Sequence, residues 1–422
     1  MKPLSSFVAL QHRNFRLLWL GQLVSRCGTM MQTAGILWHV SLLVPDDQKG
    51  LALGLVGLVR VVPVFVFSMI SGLAADALDR RKLMLLTQVS LTVVSGVLAA
   101  ITFRGLSAVW PVYLLAAAGA AASAFDSPSR VSLVTNLVPP EHLPNAISLN
   151  ISMFQVAAVL GPALAGAVIA ALGVGWIYLL DMLSFLAVIA ALVFMRDVPV
   201  RPAGEVSRFS LAALVEGFRF VFGEPLLRST MVLDFFANFF SSAYGLLPIF
   251  AQDVLRVGAQ GYGWLYAAPS VGALIASVAM VRAADRIARR GWVLLWAVAV
   301  YGAATVVFGL SRSFWLTFGC LALTGAADTV GMVLRNVIRQ LGTPDRLRGR
   351  MTGVNMIFVS GGPELGELEA GLVANWWGAP FSVVTGGLAC LLAVAWTAWQ
   401  APVLRRYRHE NAVVLAGRAA AD

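Results

Sequence analysis

Apolar residues gather in twelve runs of membrane-spanning length, near 17–43, 51–75, 83–103, 108–125, 146–172 and 176–195, then near 229–250, 262–283, 291–310, 314–334, 351–374 and 379–402. A helix of about 20 residues crosses a hydrocarbon core of about 30 Å, and each run is close to that or longer. The polar stretch 196–228 is the one long interior interruption, and it divides the runs six and six. The pattern predicts an all-α integral membrane protein of twelve transmembrane helices. Its expected parts are a six-helix bundle over 1–195, a cytoplasmic linker loop over 196–228, a second bundle over 229–404 and a cytoplasmic tail over 405–422.

Composition agrees. Of 422 residues 59% are hydrophobic and 12% charged, whereas soluble domains sit near about 45–50% and 25%. One core could not hide so much apolar surface, but a bilayer accepts it. The net charge of +10 does not point to nucleic acid, because the charges fall between apolar runs and not along one helix face. Basic residues favour cytoplasmic loops. With both termini cytoplasmic, 25 of the 31 Lys and Arg lie on that side and four on the other, while Arg26 and Arg60 lie inside spans. Cys27, Cys320 and Cys390 sit in apolar runs without metal-type spacing. The first apolar run is too long for the core of a cleavable signal.

The two halves repeat. Gly54, Asp76, Arg80 and Arg81 recur 209 positions later as Gly263, Asp285, Arg289 and Arg290, and Pro140 and Leu143 recur as Pro344 and Leu347. The segment 72–82, GLAADALDRRK, resembles the loop motif between helices 2 and 3 of the major facilitator superfamily, with Ala77 where that motif has a basic residue and Asp79 where it has glycine. The stretches FRLLWLGQLVSRCGTMMQ (15–32), AFDSPSR (124–130), LDFFA (233–237), LRGR (347–350) and ELGELEAG (364–371) resemble, in this order, the drug-export branch that includes enterobactin exporters and transmembrane secretion effectors. The resemblance implies the major facilitator fold, two pseudo-symmetric six-helix bundles with a substrate site between them. It also implies that helices 1, 4, 7 and 10 surround the cavity, and that Gly72, Asp76, Arg80 and Arg81 belong to a cytoplasmic gate.

Ionisable residues inside a membrane are costly and are functional candidates by default; the competing reading is a structural ion pair or a side chain that reaches the interface. Helix 1 places Gln22, Arg26, Thr29 and Thr33 on one face. Arg60 lies on helix 2. Helix 7 repeats the pattern with Asp234, Asn238, Ser241 and Gly245, where Asp234 suits a gate or a binding role. In helix 11, Gly361, Gly362 and Pro363 predict a break, followed by Glu364, Glu367 and Glu369. Glu364 and Glu367 share a face and Glu369 is turned about 200° from Glu367, so the three cannot serve one site. Glu367, near mid-membrane, reads as a proton or substrate carrier or as an arginine's partner. Gly161, Pro162 and Gly166 partly match a glycine–proline motif associated with antiporters, and small residues at this spacing also serve close packing. Asp126 and Asp328 lie in matching places toward the cytoplasmic ends of helices 4 and 10. Asp126-Ser127-Pro128 reads as a helix cap with proline in the first turn, in a structural or gating role. His39 reads as structural.

No phosphate-binding loop with a lysine, no metal-ligand spacing and no catalytic constellation occurs in the sequence, so neither an enzyme nor a cofactor or metal is expected. The leading reading is a secondary transporter of a bacterial cytoplasmic membrane, acting as a monomer, that exports a small amphipathic or hydrophobic compound such as a drug or siderophore in exchange for protons. A proton symporter importing a polar or anionic metabolite, with Arg26 binding the anion, is the second reading. A transporter-like sensor or assembly partner is the third.

Overall fold

The computed structural model describes residues 7–77, 79–196, 211–241 and 243–408. Its frame is twelve helices of 16–31 residues. They are α1 Arg13–Leu43, α2 Lys49–Ala77, α3 Arg80–Phe103, α4 Trp110–Leu137, α5 Leu143–Leu172 and α6 Val174–Phe194. After them come α7 Pro225–Phe240, α8 Gly258–Ala283, α9 Arg290–Leu310, α10 Phe314–Leu341, α11 Arg348–Trp377 and α12 Ala379–Gln400. Nine spans among the described residues are long and apolar enough to cross a membrane. The other three long helices, α1, α4 and α11, have the length at 31, 28 and 30 residues and carry the polar residues singled out above.

The helix ends follow local chemistry. Asp79 caps α3, its carboxylate accepting from the backbone N–H groups of Arg81 and Lys82 at 2.9 and 3.3 Å, so the departure from the motif's glycine serves a capping role. Gly173 after α5 and Gly378 after α11 turn the chain at φ +92° and +87°, a region that L side chains avoid. Exposed apolar side chains form outward stripes such as Leu86, Val89, Val93 and Val97 on α3, the surface a lipid-facing helix needs. Trp110 and Trp315 at the starts of α4 and α10, and Trp376 and Trp377 at the end of α11, are exposed, as aromatics at a membrane interface are.

The chain folds into two compact units. The first holds residues 1–45, 59–208 and 258–267, and in it α1 packs on α5 and α6 while α3 packs on α4 and α6. Phe15 and Leu18 of α1, Met84 of α3, Leu133 of α4, Leu149 of α5 and Val188 of α6 meet in its core. The second unit holds residues 46–58, 209–257 and 268–422 and repeats the scheme, α7 on α11 and α12 and α9 on α10 and α12. Leu233, Leu294, Val298, Leu334, Cys390 and Val394 lie in its core. Lipid tails are as apolar as leucine, so close packing rather than water exclusion holds these interiors together.

Part of the expected linker loop is helical. Residues Leu211–Gly223 form a helix, which brings Val221 into a cluster with Leu227 and Met231 of α7 and Met351 and Val354 of α11. Glu216 pairs with Arg350.

Candidate functional site

The predicted break in helix 11 is absent. Helix α11 runs unbroken through Gly361, Gly362 and Pro363, as α5 runs through Gly161 and Pro162. Packed neighbours allow a transmembrane helix to keep a proline: in α11, Gly362 faces Phe235 and Asn238, and Gly366 lies against the backbone of Phe239.

The helix that does break is α7. After Phe240 it passes through a 3-10 turn, Tyr244–Leu246, and ends in a π turn, Phe250–Val254, irregularities that recur at functional sites. Tyr244 is half-buried at the break, with Tyr301, Thr324, Asp328 and Glu367 around it.

Two glutamates of α11 converge on α2. A Cβ placed on Gly57 would stand 3.2 Å from Oε2 of both Glu364 and Glu367, and one placed on Gly245 would stand 3.6 Å from Glu367 Oε2. Glycine at 57 therefore opens the space in which the two carboxyl groups meet. The helices approach closely there. A Cβ on Gly371 would be 2.5 Å from Gly50 O and 2.7 Å from Gly54 Cα. A side-chain acceptor adds to this, since Leu51 N–H donates to Asn375 Oδ1 at 3.3 Å. Buried Lys49 pairs with Asp46 and Asp253 at 2.7 and 3.2 Å, fixing the start of α2.

The first unit holds the counterpart crossing, between α5 and the start of α8. A Cβ on Gly166 would lie 2.6 Å from Ala259 O, and one on Gly263 2.6 Å from Pro162 O. Gly161 instead packs α5 on α1, at Met30 and the carbonyl of Cys27.

In the second unit, Asp234 of α7 is 3% exposed and bonds Arg335 of α10 at 2.9 Å, with Arg339 3.8 Å away. Arg335 also reaches Asp328 at 3.0 Å. Asn238 donates to Asp234 Oδ1 and to its carbonyl, both at 2.9 Å. Asp234 thus sits in an ion-pair network. The sequence reading missed Arg335 and Arg339 by ending helix 10 at 334 and assigning them to a loop; α10 continues to Leu341. Beside this network, Phe235 stacks with Phe239 at 5.7 Å and meets Phe358 of α11 edge-on at 5.8 Å, a half-buried aromatic surface.

In the first unit, Asp126 does not cap a helix. Helix α4 continues past it to Leu137, because its carboxylate is engaged sideways. It pairs with Arg130 one turn on and accepts from Gln88 and Thr87 of α3 at 2.8 and 3.2 Å. Arg26 lies within Coulombic range of both Asp126 and Arg130. Gln22 is buried, while Thr29 and Thr33 donate to carbonyls in their own helix. Arg60 is half-buried and forms no ion pair among the described residues. Arg81 donates to the carbonyl of Val193 at 3.3 Å and Arg80 starts α3. The surroundings of Gly72 and the side chains of Asp76 and Asp285 lie outside the described residues. His39 Nδ1 and the Tyr178 hydroxyl share a hydrogen bond of 3.0 Å, as a structural histidine would.

The sequence reading also missed Asp181 of α6, an acid with no exposed surface, whose carboxylate accepts from Ser95 Oγ at 2.8 Å. It is the lone charged residue of a run that otherwise reads as lipid-spanning.

The model of a family described as transmembrane secretion effector matches residues 4–413. The enterobactin exporter EntS of Shigella flexneri is 26% identical over 352 residues, covering 81% of this chain and 80% of its own. Among solved structures, a bacterial homologue of the iron transporter ferroportin, in an inward-facing state, superposes with a TM-score of 0.68 at 17% identity, covering 92% of this chain and 98% of its own. A bacterial homologue of the human lysosomal transporter Spinster gives 0.68 at 16% identity, with 99% of both chains covered.

Proposed function

This chain belongs to the transmembrane secretion effector family of the major facilitator superfamily, and from that premise we propose that it exports a small amphipathic or hydrophobic compound across a bacterial cytoplasmic membrane in exchange for protons. Relatives named as exporters support the direction. The half-buried Phe235, Phe239 and Phe358 beside polar Asn238 support an amphipathic cargo. Both termini are assigned to the cytoplasm, on the charge asymmetry of the loops.

One observation carries the exchange: Glu364 and Glu367 bring their carboxyl groups to the same glycine of α2. Two carboxylates in one small space raise each other's affinity for a proton. A proton there favours the crossing of α2 on α11, and its loss favours separation. Cargo and proton then bind alternately if cargo binding requires the separated helices, which is the coupling an antiporter needs. Asp234, Asp328, Arg335 and Arg339, and in the first unit Arg26, Asp126 and Arg130, serve as ion pairs that hold or release helix ends.

The test is flux in proteoliposomes, normalised to folded protein, with ethidium and a catecholate siderophore as probes and pyranine reporting internal pH. Glu367→Gln is expected to abolish pH-driven flux while slow exchange of probe down its own gradient persists. Wild-type flux in that variant and in Glu364→Gln would remove the pair from the mechanism. Inward flux of an anionic metabolite, dependent on Arg26, would favour the symporter instead.

A further inference from the structure

A further acid lies away from the half-buried α11 pair. Asp181 lies where α6 meets α1 and α3, with no exposed surface, and it forms no ion pair among the described residues. Helices α3, α5 and α6 carry no basic residue between Lys82 and the ends of their spans. On α1, Arg26 lies with Asp126 and Arg130 of α4, and His39 is engaged by Tyr178, one turn from Asp181 on α6.

The hydrogen bonds around Asp181 can be followed proton by proton. Gln32 donates to Ser95 Oγ at 2.7 Å, and Ser95 donates its own proton to Asp181 Oδ2 at 2.8 Å. Ser184 Oγ lies on the same side as Asp181 Oδ1, both facing Gly28, but its proton goes to the backbone carbonyl of Asp181 at 2.7 Å. Oδ1 is buried and receives no donor among the described residues. A carboxylate would leave that oxygen bare, which is costly in a dry interior. A carboxylic acid would not, because an Oδ1–H can donate to Ser184 Oγ, which has lone pairs free. Among the described residues no group of three or more His, Cys, Asp or Glu could hold a metal ion. A Cβ added to Gly28 of α1 would stand 2.3 Å from Ser184 Oγ and 2.9 Å from Asp181 Oδ1, so the α1 backbone closes over the pair.

We infer that Asp181 is a second proton-binding site, separate from the glutamates of α11, and that this structure holds it as the neutral acid under Gly28. When α1 shifts from α6 at Gly28 and water enters, the Oδ1–H bond breaks, the electron pair stays on the carboxylate and the proton leaves on water. Release during the transport cycle rests on the proton-exchange reading above; occupancy of the site in this state does not.

Infrared difference spectra of the full-length protein in H2O and D2O test occupancy without any transport. Near neutral pH a carboxylic-acid C=O band is expected in wild type and in Glu367→Gln. The Asp181 part of that band, read in the wild type minus Asp181→Asn spectrum, should survive in the Glu367→Gln background and shift in Ser184→Ala, which removes the acceptor. Asn has the size of the neutral acid, so Asp181→Asn should keep the wild-type melting temperature, and Ser184→Ala supplies the readout should it not. Carboxylate bands in place of the acid band in the wild type minus Asp181→Asn spectrum would overturn the inference. Pyranine-reported protons per ethidium exported then test release: the ratio should fall by one in Asp181→Asn. An unchanged ratio would refute release and leave a fixed neutral acid. Absence of proton flux in wild type would refute the exchange reading, with the infrared result still deciding occupancy.

Discussion

Replacing Gly371 by alanine tests whether the crossing of α2 on α11 forms and parts. The new Cβ would stand 2.5 Å from Gly50 O and 2.7 Å from Gly54 Cα. Carbon atoms rest at about 3.5–4.0 Å, so the helices must separate locally by about 1 Å. Both obstacles are backbone atoms, and no side chain can swing away. Overpacking of this kind costs about 1–3 kcal/mol. If the crossing exists in only one state of the transporter, the cost falls on that state alone and shifts the equilibrium away from it by about 5–150-fold. Spin labels on Asp47→Cys and Trp377→Cys report the separation by pulsed dipolar spectroscopy, with Cys27, Cys320 and Cys390 replaced by alanine. A second, longer distance should appear or grow in Gly371→Ala. Gly361→Ala is the control, because a Cβ there meets nothing within 4 Å, and it should leave the distribution unchanged. A lower melting temperature with one unaltered distance would refute the reasoning, since the crossing would then be a permanent packing contact.

Asp234→Ala removes a carboxylate from Arg335 and Arg339, which are both 3% exposed; breaking a buried pair costs about 3–5 kcal/mol, so folded yield and melting temperature should fall sharply. Glu216→Ala breaks the exposed pair with Arg350 and should cost less than about 1 kcal/mol in the same thermal assay. For topology, a cysteine at Ala203, which lies outside the described residues, should resist an impermeant maleimide in intact cells while one at Asp47 reacts; ready labelling at 203 would reverse the orientation.

The frame of the fold was legible because burial in lipid leaves its mark on every residue of a span, and twelve apolar runs are hard to misread. Helix ends were harder. Helix α4 extends about three turns and α10 about two beyond their apolar runs because Asp126, Arg130, Arg335 and Arg339 form pairs with one another and with neighbouring helices, which sequence spacing does not reveal. The Pro363 break failed because proline's effect depends on the neighbours, and the true break in α7 has no proline at its start. Glu364 and Glu367 were found as acids in an apolar run, and their shared face held. Asp181 was passed over because one acid in α6 has no motif; the signal was its solitude in a helix with no basic residue.

The two glycine crossings bear on how fast the protein can change shape. At Gly54 and Gly371, and at Gly166 and Gly263, backbone meets backbone with no interlocked side chains between. Helices that mesh by long side chains must unpack rotamers before they part, and each step adds to the barrier. A glycine contact has nothing to unlatch. The surfaces can slide or lift with little rearrangement, so switching would be limited by the ionisable groups nearby and by the lipid, and temperature should affect its rate less steeply than it affects unfolding.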